Sequence, residues 1–163
     1  MTPVRATALL TLALALPAAE PVGFTGVWKL NLQKSRMKNG QPVPFNKSHI
    51  ISIVQKGTII YWREQRITSE DILLSNCAEI GIGGQESVLF GFDDGRVSNN
   101  SRISIVIDGK RLEQKFRGTT NLGKTFQGIR KLLLADDGKS MSAVFEGNRF
   151  GELVAWTEVW DRF

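Results

Sequence analysis

Three groups of residues have types and spacing that could do chemistry. The first is "GTTNLGKT", Gly118 to Thr125, which satisfies G-x-x-x-x-G-K-[ST]. In a working loop of that pattern, successive backbone amides wrap a phosphate, the lysine adds charge and the hydroxyl holds Mg²⁺. Such a loop needs a buried strand before it and a helix after it, whose N-terminus faces the phosphates. Here "RLEQKFRG" before the loop is charged and alternating, while "TFQGIRKLLL" after it has Gly128 early and a turn by Asp136. Neither flank fits, so the match is read as a coincidence of letters.

The second group is His49 and Cys77, the only histidine and the only cysteine. One imidazole cannot supply a two-histidine zinc site, and a Cys–His nucleophile pair requires the two side chains to meet in the fold. His49 opens an apolar run and Cys77 sits in a segment with no nucleophile signature, so structural roles are expected for both. Third, Asp93-Asp94 and Asp136-Asp137 each precede a glycine. That is turn chemistry rather than a carboxylate dyad or a calcium site. No catalytic residue, cofactor or metal is therefore expected.

The elements that must position any site read as strands. Phe24, Trp28, Leu30 and Leu32 share one parity of an extended segment, with polar Thr25, Lys29, Asn31 and Gln33 on the other. "SHIISIVQ" and "TIIYWREQRI" flank "KG" as a hairpin. A second hairpin places Ile103, Ile105 and Ile107 before an Asp108-Gly109 turn and Leu112, Gln114 and Phe116 after it. A third joins "FQGIRKLLL" to "SMSAVFEG" through "ADDGK", and "LVAWTEVWDRF" is a terminal strand. "QKSRMKNGQPVPFNK", with Gly40, Pro42 and Pro44, predicts an irregular connection and no helix. "NCAEIGIGGQ", Asn76 to Gln85, is expected to be a glycine-bearing loop before a short strand at "SVLFGF". The pattern predicts about eight to ten strands in one antiparallel up-and-down barrel, closed or incomplete.

Within such a barrel the aromatic inventory matters most. Inward positions Trp28, Trp62, Phe116, Phe145, Trp156 and Trp160 are candidate cavity residues, with core packing as the plainer reading of any one of them. Glu158 shares a face with Val154, Trp156 and Trp160, and burying it is costly unless an arginine such as Arg130 or Arg63 pairs with it. Arg130 and Glu158 therefore join the candidate list.

At 163 residues, the chain is long enough for one domain with a real core. Residues 1–19, "MTPVRATALLTLALALPAA", carry one positive charge and an apolar run too short to span a bilayer, closed by small residues. They read as a signal peptide, leaving 20–163 as the exported, periplasmic or secreted domain. Removing Arg5 from 21 basic residues leaves an excess of about +4 over 16 acidic ones. The charges are spread along the strands, which suits weak association with an anionic surface and gives no nucleic-acid signature.

"FTGVWKLNL" resembles the first strand of the calycin superfamily, where lipocalins carry G-x-W and intracellular fatty-acid-binding proteins a phrase close to G-T-W-K-L. More closely, "FTGVWKLNLQKSR", the Pro-containing connection, "DGKSMS" and the final "VWDR" look like a family of small exported bacterial lipocalin-like proteins. The family opens on F-x-G-x-W-K-L-N-x-x-K-S. The resemblance covers both ends of the mature chain and leaves 68–100 unplaced. It implies a β-barrel closed at one end by Trp28, with Arg162 as the arginine that stacks on it. It does not imply fatty-acid binding, because Glu158 and Trp160 stand where that family's C-terminal R-x-Y holds the ligand carboxylate. Together these features predict a monomeric, exported lipocalin-like barrel that binds a small hydrophobic or amphipathic molecule without catalysis. The alternatives are an envelope interaction module using basic strand faces, and a calycin-type enzyme using Glu158 or His49.

Overall fold

The computed structural model describes residues 23–43, 46–93, 96–120 and 122–163. The signal segment expected at 1–19 lies outside them, as do Asp94 and Gly95 of the turn expected at Asp93-Asp94. The described residues form eleven strands: β1 (Gly26–Leu30), β2 (Arg36–Met37), β3 (Asn46–Lys56), β4 (Ile59–Thr68), β5 (Leu73–Gly81), β6 (Ser87–Asp93), β7 (Arg96–Asp108), β8 (Arg111–Thr119), β9 (Thr125–Leu134), β10 (Ser140–Arg149) and β11 (Glu152–Arg162). No helix occurs among the described residues.

Every pairing is antiparallel between strands adjacent in the order β1-β3-β4-β5-β6-β7-β8-β9-β10-β11, and β1 pairs with β11 to close the ring. Ten strands thus make an up-and-down barrel, and closure leaves it without open edges. The eleventh, β2, is a two-residue flap on β11 (Trp156↔Met37, Thr157↔Arg36). It occupies the Pro-bearing connection, which bridges back on itself at Arg36↔Pro42.

The three predicted hairpins are β3–β4, β7–β8 and β9–β10. One expectation fails: Asn76–Gly81 are strand, part of β5, and not loop. The alternation there sets Asn76, Ala78 and Ile80 against Cys77 and Glu79, but with only Ile80 large and apolar and Gly81, Gly83 and Gly84 following, it does not declare itself as a strand. The G-x-x-x-x-G-K-[ST] stretch is the β8–β9 hairpin, closed by Thr120 N–H to Lys124 O and Gly123 N–H to Thr120 O. A sheet hairpin presents no helix N-terminus to a phosphate.

Barrel closure uses the residues of the two end motifs. Trp28 is fully buried and donates its indole N–H to Phe24 O at 2.9 Å. The Arg162 guanidinium lies over the Trp28 ring at 4.4 Å and donates to Gly138 O, Thr25 O and Gly23 O at 2.7–2.9 Å. Gly26 is glycine because a Cβ there would come within 3.1 Å of that guanidinium, at φ 153°. Asn31 donates to Asp161 at 2.8 Å, while the buried Ser35 hydroxyl donates to Asn31 O and accepts from Val159 N–H. The opening motif and "VWDR" are thus two sides of one seam.

The core fills the Trp28 end. Trp28, Ile51, Ile53, Ile60, Trp62, Ile80, Ile105, Leu112, Met141 and Trp160 are all essentially inaccessible and belong to a single apolar cluster. At about 25 cal/mol per Å² of apolar area removed from water, this plug is the main source of stability.

Candidate functional site

Moving along the barrel axis from the plug, the inward side chains change from apolar to charged at one level. His49 of β3, Glu64 of β4, Gln114 of β8, Arg130 of β9 and Glu158 of β11 are all buried, none more than 7% exposed. Burying this many polar groups is tolerable only if they satisfy one another. Arg130 is the hub: Nη1 donates to Gln114 Oε1 at 3.0 Å, Nη2 lies 3.4 Å from Glu158 Oε1, and Nε pairs with Glu158 Oε2 at 3.0 Å. Glu158 also accepts indole N–H bonds from Trp156 at 2.8 Å and Trp160 at 2.9 Å. Glu64 shares Oε1 between His49 Nε2 and the more distant guanidiniums of Arg130 (3.8 Å) and Arg66 (3.9 Å). His49 meets Trp160 edge-on, ring centroids 4.7 Å apart.

The electrostatics follow from this packing. Burial alone pushes the Glu64 carboxyl up, but His49, Arg66 and Arg130 together overcome it and hold it well below the usual carboxylate range. Burial, reinforced by the Arg130 and Arg66 charges, keeps His49 below its ordinary 6.5 despite Glu64. In this layer Glu64 is favoured in its charged form and His49 in its neutral form, with His49 Nε2 in hydrogen-bond contact with Glu64 Oε1.

Above this floor the barrel is hollow. A cavity of about 500 Å³ opens at the end away from Trp28, with Glu64 and Arg130 in its floor. Phe116, Phe126, Phe145 and Trp156 line one side. Arg66, Asn76, Ser98 and Ser101 line the other, and Lys124, Arg149 and Phe150 stand toward the β8–β9 and β10–β11 turns. Four cationic side chains thus face two carboxylates, Glu64 in the lining and Glu158 beneath it. A second hollow of about 520 Å³ lies on the outer face of β8, β9 and β10, around Lys115, Arg117, Ile129 and Glu146.

The eight candidates from the sequence divide cleanly. Phe116, Arg130, Phe145 and Trp156 line the cavity. Glu158 lies just under it, tied to Arg130 and Trp156. Trp28, Trp62 and Trp160 do not line it: they sit in the plug, on the far side of the charged layer. Arg63 is on the outer face of β4, so Arg130 alone of the two arginines pairs with Glu158. His49 and Cys77 do not form a nucleophile pair, because His49 points inward and Cys77 alternates outward from inward Asn76 and Ala78.

Glu64 and Arg66 were missed as site residues, although a signal existed. They continue the parity of Ile60 and Trp62 in "IIYWREQRIT", and a charged pair on the core face of a strand marks a change of environment. Arg149 and Lys124 carried no such mark, since they lie beside turns.

No family model matches the chain, and no curated protein matches it in sequence. Among solved structures, zebrafish ileal bile acid-binding protein complexed with cholic acid is similar at 11% identity and a TM-score of 0.43. The match covers 86% of this chain and 98% of that one.

Proposed function

We propose that this protein binds a small amphipathic molecule in the open half of its barrel and performs no catalysis on it. The observation that carries the reading is the cavity of about 500 Å³, within the range of about 300–1,000 Å³ typical of small-molecule sites. Its walls combine apolar rings with a few convergent polar groups, which is the usual composition of such sites. The non-catalytic reading is supported by the engagement of its acids: Glu64 and Glu158 are each held by arginine and by a ring N–H. A carboxylate so held is a poor general base. The proposal includes export as a monomer, with residues 1–19 removed as a signal peptide; N-terminal sequencing of the protein from its host's envelope or medium tests that part.

Titration with N-phenyl-1-naphthylamine, a neutral probe that fluoresces in apolar surroundings, tests binding. The expected result is saturable one-to-one binding by the folded protein and its loss in Asn76→Phe, which fills the cavity from β5. Binding that survives Asn76→Phe with unchanged affinity would overturn the cavity as the site.

A further inference from the structure

Resting on ligand binding in this cavity, we propose that the site selects a flat, ring-bearing anion, a carboxylate or sulfonate, over a flexible acyl chain. The first ground is the shape of one wall. Phe126, Phe116, Phe145 and Trp156 make a continuous aromatic surface across β8 to β11, with successive centroids 6.3, 5.6 and 3.9 Å apart. The last two contacts are near-parallel, at 19° and 23°.

Phe116, Phe126 and Phe145 pack close against the backbone because three inward positions beside them are glycine. A Cβ on Gly128 would stand 2.7 Å from the Phe145 ring and 3.0 Å from Phe116, and one on Gly118 would stand 2.7 Å from Phe126. On Gly147 it would meet Phe145 at 3.1 Å and Gln127 O at 2.4 Å. Phe145 and Trp156 stack face to face, and with Phe116 and Phe126 they bound one side of the cavity with aromatic faces and edges. A planar ring system gains offset stacking there beyond its buried area. An acyl chain gains none and loses rotational freedom on confinement. Nor can a chain run deeper, since the charged layer and the packed plug lie below.

The second ground is charge. The Arg66 Nε is buried without a hydrogen-bond partner among the described residues, its nearest carboxylate oxygen being Glu64 Oε1 at 3.9 Å. Arg149 belongs to the other side of the barrel, on β10, and the two guanidiniums repel each other enough to reinforce the effect of burial on Arg149. Arg66, Lys124, Arg130 and Arg149 outnumber the one carboxylate, Glu64, in the cavity lining, and an anionic group among them offsets that excess and the repulsion.

The test compares three probes on the full-length chain by calorimetry and fluorescence. They are 1-anilinonaphthalene-8-sulfonate, its neutral relative N-phenyl-1-naphthylamine, and laurate, with melting curves confirming a folded protein. The sulfonate is expected to bind at least about tenfold more tightly than either of the others. In Arg66→Gln the ratio of sulfonate to neutral-ring affinity should fall to about one. Laurate or the neutral ring binding as tightly as the sulfonate, or an unchanged sulfonate advantage in Arg66→Gln, would overturn the selectivity and leave cavity binding intact. If none of the three binds the folded protein, cavity binding itself fails.

Discussion

The two halves of the barrel are built from the same strands and do opposite things with them. In the Trp28 half, inward positions of β3, β4, β7, β8, β9 and β10 are isoleucine, leucine, tryptophan, methionine and alanine, packed in a single cluster. In the other half, inward positions are phenylalanine, glycine, arginine, serine and asparagine, and space remains. Between them stands the layer of His49, Glu64, Gln114, Arg130 and Glu158. A closed barrel of this size needs only part of its length packed to be stable. The remainder is free to stay hollow if its floor is finished with groups that satisfy one another.

Stability should therefore respond very differently to truncation in the two halves. Trp28→Ala removes a fully buried ring together with the stacking partner of Arg162, and is expected to cost about 5 kcal/mol, the upper end for such truncations. Trp156→Ala, in the cavity wall, should cost less than about 2 kcal/mol, mostly the lost bond to Glu158. Urea unfolding of both variants checks this, and equal costs would break the contrast. Next in size is the layer itself. Glu158→Leu removes the carboxylate paired with Arg130 and the acceptor of two indole N–H groups, so a loss of about 3 kcal/mol is expected by the same measurement.

The smaller effect is pH dependence. Below pH 6.5 the unfolded chain protonates His49 and the folded one resists it, so stability is fully present above 6.5 and declines as pH falls. Glu64, held below its ordinary 4.5, adds to the decline below that pH, because the unfolded carboxyl then takes up a proton that the folded one refuses. Melting temperatures across this range should fall with acid in the wild type and flatten between pH 6.5 and 4.5 in His49→Asn. A wild-type profile flat over that interval would place the imidazole's titration elsewhere.

Much of this was legible in the sequence at the level of faces. Period-two alternation assigned the inward parity of Trp62, Ile105, Phe116, Phe145 and Glu158, and the "KG" and "DG" turns located their hairpins. It also exposed Glu158 as needing an arginine, which Arg130 supplies. What alternation cannot give is height along the barrel axis. Trp156 and Trp160 have the same parity on the same strand, yet one faces the cavity and the other the plug, because four residues separate the two levels. Height depends on the register of every neighbouring pair, such as Gln114↔Arg130↔Phe145↔Trp156, and register is a property of the assembled sheet. β5 was missed for a related reason: its inward residues pass from the plug at Ala78 and Ile80 to the cavity at Asn76, so no single apolar face runs along it.

The four tryptophans make the division directly measurable. In an ¹⁵N–¹H spectrum each indole N–H gives one peak, and the protein can be titrated with 1-anilinonaphthalene-8-sulfonate to saturation. The Trp156 indole, in the cavity wall, should move furthest and Trp160, which shares Glu158 with it, less, while Trp28 and Trp62 stay in place. Movement of Trp28 or Trp62 as large as that of Trp156, or saturation with Trp156 unmoved, would contradict the account.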